Sequence, residues 1–183
     1  FAAVYRAPVI LNVVNNQWAI STHMNISTGG ATFAARGIAY DLPSIRVDGN
    51  DFLALYGVTQ WAAERARQGL GATFIEVLTY RGEAHSTSDD PTRYRPKNEW
   101  ESWPLGDPVE RLKAHLKAIG EWDNKRHKAL EKELDKLVVK SYKKAEEYGT
   151  LDAGPYPPAS TLFEDVYKNE LPHLRKQRQQ LGV

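Results

Sequence analysis

The run Pro8-Val9-Ile10-Leu11-Asn12-Val13-Val14 is apolar almost throughout, rich in β-branched residues, and bounded by Pro8 and by Asn15-Asn16. A strand covered on one face alternates polar with apolar residues. A run this continuous reads as a strand buried on both faces, the pattern of a parallel sheet. Ala72 to Leu78 (Ala-Thr-Phe-Ile-Glu-Val-Leu) repeats the pattern, and Ser44 to Val47 is a shorter strand stopping at the turn sequence Asp48-Gly49-Asn50. Alanine-rich Ala31 to Tyr40 is helix-like. A second helix begins at Asp51, which can cap it, and carries Leu55, Val58, Ala62 and Ala66 on one face as far as Gly69. Strand, helix, strand, helix, strand predicts an α/β fold built on a parallel sheet.

Past residue 100 the chain turns helical. Asp107-Pro108 sets a capping acid before a first-turn proline, and Val109, Leu112, Leu116 and Ile119 form one stripe. A longer helix is predicted from about Asp123 to Tyr148, with Leu130, Leu134, Leu137, Val138, Ser141 and Ala145 inward and Gly149 as its stop. Its Lys- and Glu-rich face reads as solvated. Gly154 to Pro158 is a proline-rich hinge before a last helical segment from about Thr161. The expected organisation is an α/β portion over 1–105 and a helical carboxyl-terminal extension of the same domain over 106–183.

A chain of 183 residues is long enough for one domain with a core, and a formal charge of +1 gives no support for a nucleic-acid or anionic-membrane partner. With no cysteine there is no disulfide framework and no thiolate metal site, which suits a cytoplasmic protein. No apolar run approaches the roughly 20 residues of a transmembrane helix. The first residue is Phe and no signal-peptide pattern precedes the first strand, so the expectation is a piece of a longer polypeptide.

Chemistry is expected where the strands end, because open parallel sheets bind ligands at their carboxyl edge. The first strand ends in Asn15-Asn16-Gln17-Trp18-Ala19-Ile20-Ser21. The Ala72–Leu78 strand ends in the polar stretch Tyr80 to Arg95, which holds His85, the hydroxyl run Ser86-Thr87-Ser88, three acids and three arginines. A loop this long and polar is functional or disordered. Its balanced charges (Arg81, Arg93 and Arg95 against Glu83, Asp89 and Asp90) predict an ordered loop pinned by internal ion pairs. An Asn carboxamide and a nearby backbone carbonyl suit Mg²⁺, and a histidine among hydroxyls can bind phosphate or move a proton. An Asn pair at a strand end equally serves as a turn former, and a loop histidine can be satisfied by Asp89 or Asp90. A local Ser-His-Asp hydrolase triad within this loop is disfavoured: neighbours this close along a chain line up poorly as nucleophile, base and orienter, and there is no Gly-x-Ser-x-Gly elbow.

Four segments occur in one order and spacing: Asn15-Asn16-Gln17-Trp18-Ala19-Ile20-Ser21-Thr22, Arg46-Val47-Asp48-Gly49-Asn50-Asp51, Thr79-Tyr80-Arg81, and His85-Ser86-Thr87-Ser88-Asp89-Asp90-Pro91 with Tyr94-Arg95. In these, and in Phe163-Glu164-Asp165-Val166-Tyr167 near the end, the chain resembles the carboxyl-terminal half of the alpha subunits of branched-chain 2-oxoacid dehydrogenases. The bacterial branched-chain form looks more similar than the pyruvate-specific one, which tends to have Tyr-Gly-Met-Gly at Trp18–Ser21 and Met-Ser-Asp-Pro at Thr87–Asp90.

The resemblance implies a thiamine-diphosphate-binding fold that decarboxylates branched-chain 2-oxoacids such as 2-oxoisovalerate and reductively acylates a lipoyl acyltransferase. It implies Mg²⁺ held by the Asn16 side chain and the Trp18 carbonyl, Ile20 packed on the cofactor, and a catalytic His85 beside the diphosphate. It also implies a beta subunit in an α₂β₂ heterotetramer that completes the site, so that this chain alone is inactive. Two differences from the family pattern follow: a further Mg²⁺ ligand belongs to a Gly-Asp-Gly-type motif absent from this sequence, and Val14 stands where several members carry a basic residue. In mitochondrial relatives a serine at the Ser86 position is phosphorylated, which sets negative charge beside an anionic cofactor. The same chemistry on pyruvate or acetoin, and a non-catalytic fragment that only supplies a subunit interface, are the competing readings. Asp89, Arg93 and Arg95 are read as braces of the loop, and His23, His115, His127 and His173 as structural or exposed.

Overall fold

A computed structural model describes residues 1–183 except 105, 151, 165 and 166; Leu105 at the expected domain boundary, and Asp165 and Val166 within the Phe163–Tyr167 stretch, lie outside the described residues. The chain forms two compact units, Phe1–Trp122 and Asp123–Val183.

The first unit begins with β1 (Ile10–Asn15), a two-residue-stranded hairpin of β2 (Trp18–Ala19) and β3 (Thr22–His23), and the single turn α1 (Met24–Ser27), capped by His23 Nδ1. The short helix α2 (Ala34–Ile38), β4 (Ser44–Asp48), α3 (Phe52–Arg67), β5 (Thr73–Leu78) and α4 (Pro108–Ala118) follow. β5 lies between β1 and β4 and pairs parallel with both. The α/β parallel-sheet fold expected from the apolar runs is therefore the fold observed. Asn15 and Asp48 both align with Leu78, so the three strands end level and send their following loops to one edge.

The core sits between α3 and the sheet: Val47, Ala62 and Ile75 are buried, with Ile10, Ile45, Leu55 and Val58 packed on them. The Leu55–Val58–Ala62 face is thus the inward face of α3. Asp51 caps the helix by accepting the Ala54 N–H at 3.0 Å, and Gly69 closes it at φ 72°. Gly49 is required by close approach: an added Cβ would lie 2.6 Å from Val77 Cγ1 and 2.8 Å from the Leu78 carbonyl. Arg111 on α4 reaches Asp48 at 2.7 Å and Asp51 at 3.4 Å, while Asp107 caps α4 through the Val109 and Glu110 N–H groups.

Three expectations need correction. β1 is not buried on both faces: it is the sheet's edge among the described strands, and Leu11 and Val14 are exposed. The helix expected over Ala31–Tyr40 is only the five residues of α2. Gly37 there lies so near β4 and β5 that a Cβ would strike Ser44 and Phe74, and Asp41 at φ 56° turns the chain away before Pro43.

The third correction concerns the second unit. It holds α5 (Asn124–Glu146), a 3₁₀ turn over Ala159–Phe163 and α6 (Pro172–Leu181). The stripe read as inward on α5 is open: none of that helix's residues is buried, and Leu134, Leu137 and Val138 are exposed. Amphipathic spacing demands a cover for a face, not that the same chain supplies it.

Candidate functional site

The site is built from the loops leaving β1 and β5. Their backbones are joined directly: Thr79 N–H donates to the Asn15 carbonyl at 2.9 Å and Arg81 N–H to the Asn16 carbonyl at 3.1 Å. Asn15 is 3% exposed. Its Nδ2 donates to Glu76 Oε1 at 2.8 Å, and its Oδ1 accepts from the Gln17 backbone N–H at 3.2 Å and Gln17 Nε2 at 3.1 Å. Gln17 is thereby held at φ 71°, which reverses the chain between Asn16 and Trp18. Asn16 Oδ1 accepts the Trp18 N–H at 3.1 Å, so Asn16 is both a turn former and a carboxamide oxygen with a lone pair to spare.

The Trp18 indole is half-buried. It donates from Nε1 to the Tyr80 hydroxyl at 3.2 Å and packs edge-on to His23 and tilted against Tyr94, with centroids 4.8 and 5.4 Å apart. Ile20, at φ 54°, turns the β2–β3 hairpin and leaves its side chain exposed. Asn16 and Trp18 line a cleft of about 280 Å³ whose other wall includes Met24, Phe33 and Arg36, the guanidinium of Arg36 lying 4.8 Å from the Phe33 ring centre.

Arg81 joins this turn to the long loop. Its Nη2 donates to the Ile20 carbonyl at 2.8 Å and to the Tyr94 hydroxyl at 2.6 Å. Its Nε and Nη1 are buried and have no hydrogen-bond partner among the described residues. Leaving buried guanidinium N–H groups unsatisfied is costly, and paired anionic oxygens would satisfy them. Buried N–H groups of this kind fit a phosphate-bearing group, and Arg81 is a cation at the edge where the strands end. Mg²⁺ takes six oxygen ligands. Among the described residues no group of three His, Asp or Glu could hold a metal, and the oxygen atoms the turn offers are neutral ones, the Asn16 Oδ1 and the Trp18 carbonyl.

The Tyr80–Arg95 loop is ordered by a chain of contacts. Tyr94 donates to Asp89 Oδ2 at 2.6 Å, the same oxygen accepts the His85 N–H at 2.8 Å, and Asp89 N–H donates to the Ser86 carbonyl at 3.1 Å. Behind it Arg95, 9% exposed, donates to the carbonyls of Arg81, Gly82 and Glu83. Asp89 and Arg95 are braces, as expected. The internal ion pairs are not: among the described residues the loop's acids and arginines form no salt bridge, because Arg95 spends its donors on backbone carbonyls and Asp89 takes neutral ones. Arg93 stands exposed at the end of a 3₁₀ turn. The Tyr94 hydroxyl and the His85 N–H hold the Asp89 carboxyl below the ordinary range, and burial followed by the Asp89 contact pushes the Tyr94 hydroxyl up. Burial and Glu99 do the same to Tyr80.

Asn16, Trp18 and Ile20 thus share one turn, and His85, exposed, is linked to it through Asp89, Tyr94 and Arg81. Sequence reasoning missed Arg81, Tyr94 and the Asn15–Gln17 lock as working parts. The legible signal was an arginine three residues beyond the end of the central strand.

Known proteins bear on this geometry. The chain is 56% identical to the 2-oxoisovalerate dehydrogenase subunit alpha of Pseudomonas aeruginosa, over 100% of this chain and 45% of that protein. It is 40% identical to the 3-methyl-2-oxobutanoate dehydrogenase subunit alpha of Mycobacterium tuberculosis (99% and 48%). It is also 40% identical to the pyruvate dehydrogenase E1 component subunit alpha of Acholeplasma laidlawii (97% and 50%). The chain spans about half the length of the curated relatives it matches. Since the dehydrogenase E1 component family matches residues 1–154, a stretch that includes both loops of the site, the chain belongs to that family.

Proposed function

We propose that this chain is the metal- and diphosphate-holding part of the alpha subunit of a branched-chain 2-oxoacid dehydrogenase, a 3-methyl-2-oxobutanoate dehydrogenase. The family is thiamine-diphosphate-dependent. When bound, that cofactor supplies the electron sink for decarboxylating a 2-oxoacid, and reductive acylation of a lipoyl acyltransferase follows. The observation that carries the reading is Arg81: two buried guanidinium nitrogens, without a partner among the described residues, sit beside the Asn16–Ile20 turn at the sheet's carboxyl edge.

In this reading Asn16 Oδ1 and the Trp18 carbonyl hold Mg²⁺, Arg81 and Arg36 neutralise the diphosphate, and Ile20 packs on the cofactor. His85 hydrogen-bonds phosphate or substrate oxygen and can relay a proton. The Arg95 and Asp89 braces keep that imidazole's loop in one conformation. A beta subunit in an α₂β₂ assembly completes the site, and the open apolar stripe of α5 suits a chain that works in an assembly. Branched-chain substrates are favoured over pyruvate by the identity of 56% to a 2-oxoisovalerate enzyme against 40% to a pyruvate enzyme. The cysteine-free composition suits a reducing cytoplasm, and no helix among the described residues is long and apolar enough to cross a membrane.

The test is calorimetric binding of thiamine diphosphate in Mg²⁺ by the full-length alpha chain with its beta partner, wild type against Asn16→Ala. Tight binding lost in the variant is expected. Equal binding in both would leave Asn16 a turn residue and sink the site assignment. Binding by neither would put the interface-scaffold reading ahead.

A further inference from the structure

Glu76 occupies the middle of the central strand β5 and is 0% exposed. Burying a carboxyl group is costly unless donors surround it, and here three do. Oε1 accepts from Asn15 Nδ2 at 2.8 Å and pairs with Arg46 Nε at 3.5 Å, while Oε2 accepts the Ala34 N–H at 2.9 Å. These contacts reach both walls of the cleft at the strand ends. Through Oε1 the carboxyl orients the Asn15 amide with its nitrogen inward, which leaves Asn15 Oδ1 to accept both Gln17 donors and hold the reversal between Asn16 and Trp18. Through Oε2 it anchors the start of α2, the element that brings Phe33 and Arg36 to the opposite wall.

We propose that Glu76 is a positioning residue for the metal site: one buried carboxyl fixes the Asn16–Trp18 turn and the Phe33–Arg36 wall in register with each other. The inference rests on the reading of Asn16 and Trp18 as Mg²⁺ ligands and extends it one shell outward. Partners that orient metal ligands typically change metal affinity by about 10- to 100-fold when altered. Glutamine is nearly isosteric here but cannot substitute for the carboxyl. Asn15 Nδ2 and the Ala34 N–H are both donors, so the new amide nitrogen must face one of them. Either Asn15 flips, turning its own nitrogen toward the two Gln17 donors, or α2 detaches.

The experiment uses the full-length alpha chain assembled with its beta partner. Mg²⁺ affinity is measured by calorimetry at saturating thiamine diphosphate, beside the thermal midpoint, for wild type, Glu76→Gln, Asn15→Ala, the double variant Glu76→Gln/Asn15→Asp, and Asn16→Ala. Glu76→Gln is expected to weaken Mg²⁺ binding by about tenfold or more. Asn15→Ala, which cuts the link but leaves the Ala34 contact, weakens it similarly. The double variant restores a donor facing an acceptor and regains most of the affinity. A residue that merely supports the fold would lower the midpoint and leave Mg²⁺ affinity unchanged in Glu76→Gln and Asn15→Ala. That result, with Asn16→Ala still losing the ion, overturns the role of Glu76 alone. Wild-type affinity in Asn16→Ala overturns the underlying site reading as well. Should Glu76→Gln fail to assemble, Asn15→Ala decides: wild-type affinity there refutes the proposal.

Discussion

Replacing Arg95 with alanine should free the His85 loop without unfolding the sheet beneath it. The guanidinium donates to the carbonyls of Arg81, Gly82 and Glu83 and lies 5.6 Å from the Tyr80 ring centre, so it ties the two ends of the loop together. A hydrogen bond to a charged group contributes about 1.5–3 kcal/mol. Part of the loss is recovered when water reaches the freed carbonyls, and ordering a loop residue opposes the contacts by about 1–2 kcal/mol. A net shift of about 3 kcal/mol toward the open loop is the working magnitude, and at 1.4 kcal/mol per factor of ten that is about a hundredfold in the opening equilibrium. The core is made by Val47, Ala62 and Ile75 with the apolar residues of α3 and the sheet, not by this loop, so global stability should change far less. Hydrogen exchange by mass spectrometry on the full-length protein reads both quantities at once. Amides of residues 82–94 should exchange about a hundredfold faster while those of β5 hold their rates. Arg95→Lys should fall between, because one ammonium cannot span three carbonyls. Unchanged exchange in Arg95→Ala would mean that the Asp89–Tyr94 contacts hold the loop alone, and the bracing argument would fail.

Gly49→Ala forces a methyl against Val77 and the Leu78 carbonyl and should destabilise the chain by about 1–3 kcal/mol, seen as a lowered urea midpoint with an unchanged slope. Asp89 gives a pH dependence of definite sign. Its folded carboxyl titrates below the unfolded value of about 3.9, so its contribution is full above that value and is lost as pH falls through the folded value. Limited acid-tolerant proteolysis of the loop should stay slow down to about pH 4 and then accelerate; Asp89→Asn should be cut quickly at every pH, and a pH-independent wild type would contradict the assignment.

What could be read in the sequence was whatever depends on neighbours along the chain. The parallel sheet was legible because Ala72–Leu78 is a largely apolar run, broken only at Thr73 and Glu76, and the caps Asp51 and Asp107 because the acceptor and its N–H lie within three residues. The rest depends on groups that meet only in three dimensions. Ala31 to Tyr40 is helix-like along the chain, yet Gly37 lies so near Ser44 and Phe74 that a Cβ there would strike them, and the helix runs for five residues only. The loop's charge count suggested ion pairs, but counting charges cannot reveal that a guanidinium prefers three converging carbonyls. Arg81 is legible as a cation and not as an incomplete one: only the fold shows that two of its nitrogens are buried with no partner among the described residues. Glu76 is the sharpest case. Nothing along the chain marks it as more than one residue of a strand, whereas in the fold it lies between Asn15, Arg46 and Ala34. A charged residue buried within a central parallel strand should accordingly be read together with the partners it draws from both neighbouring strands and the crossover, since those donors make its burial tolerable.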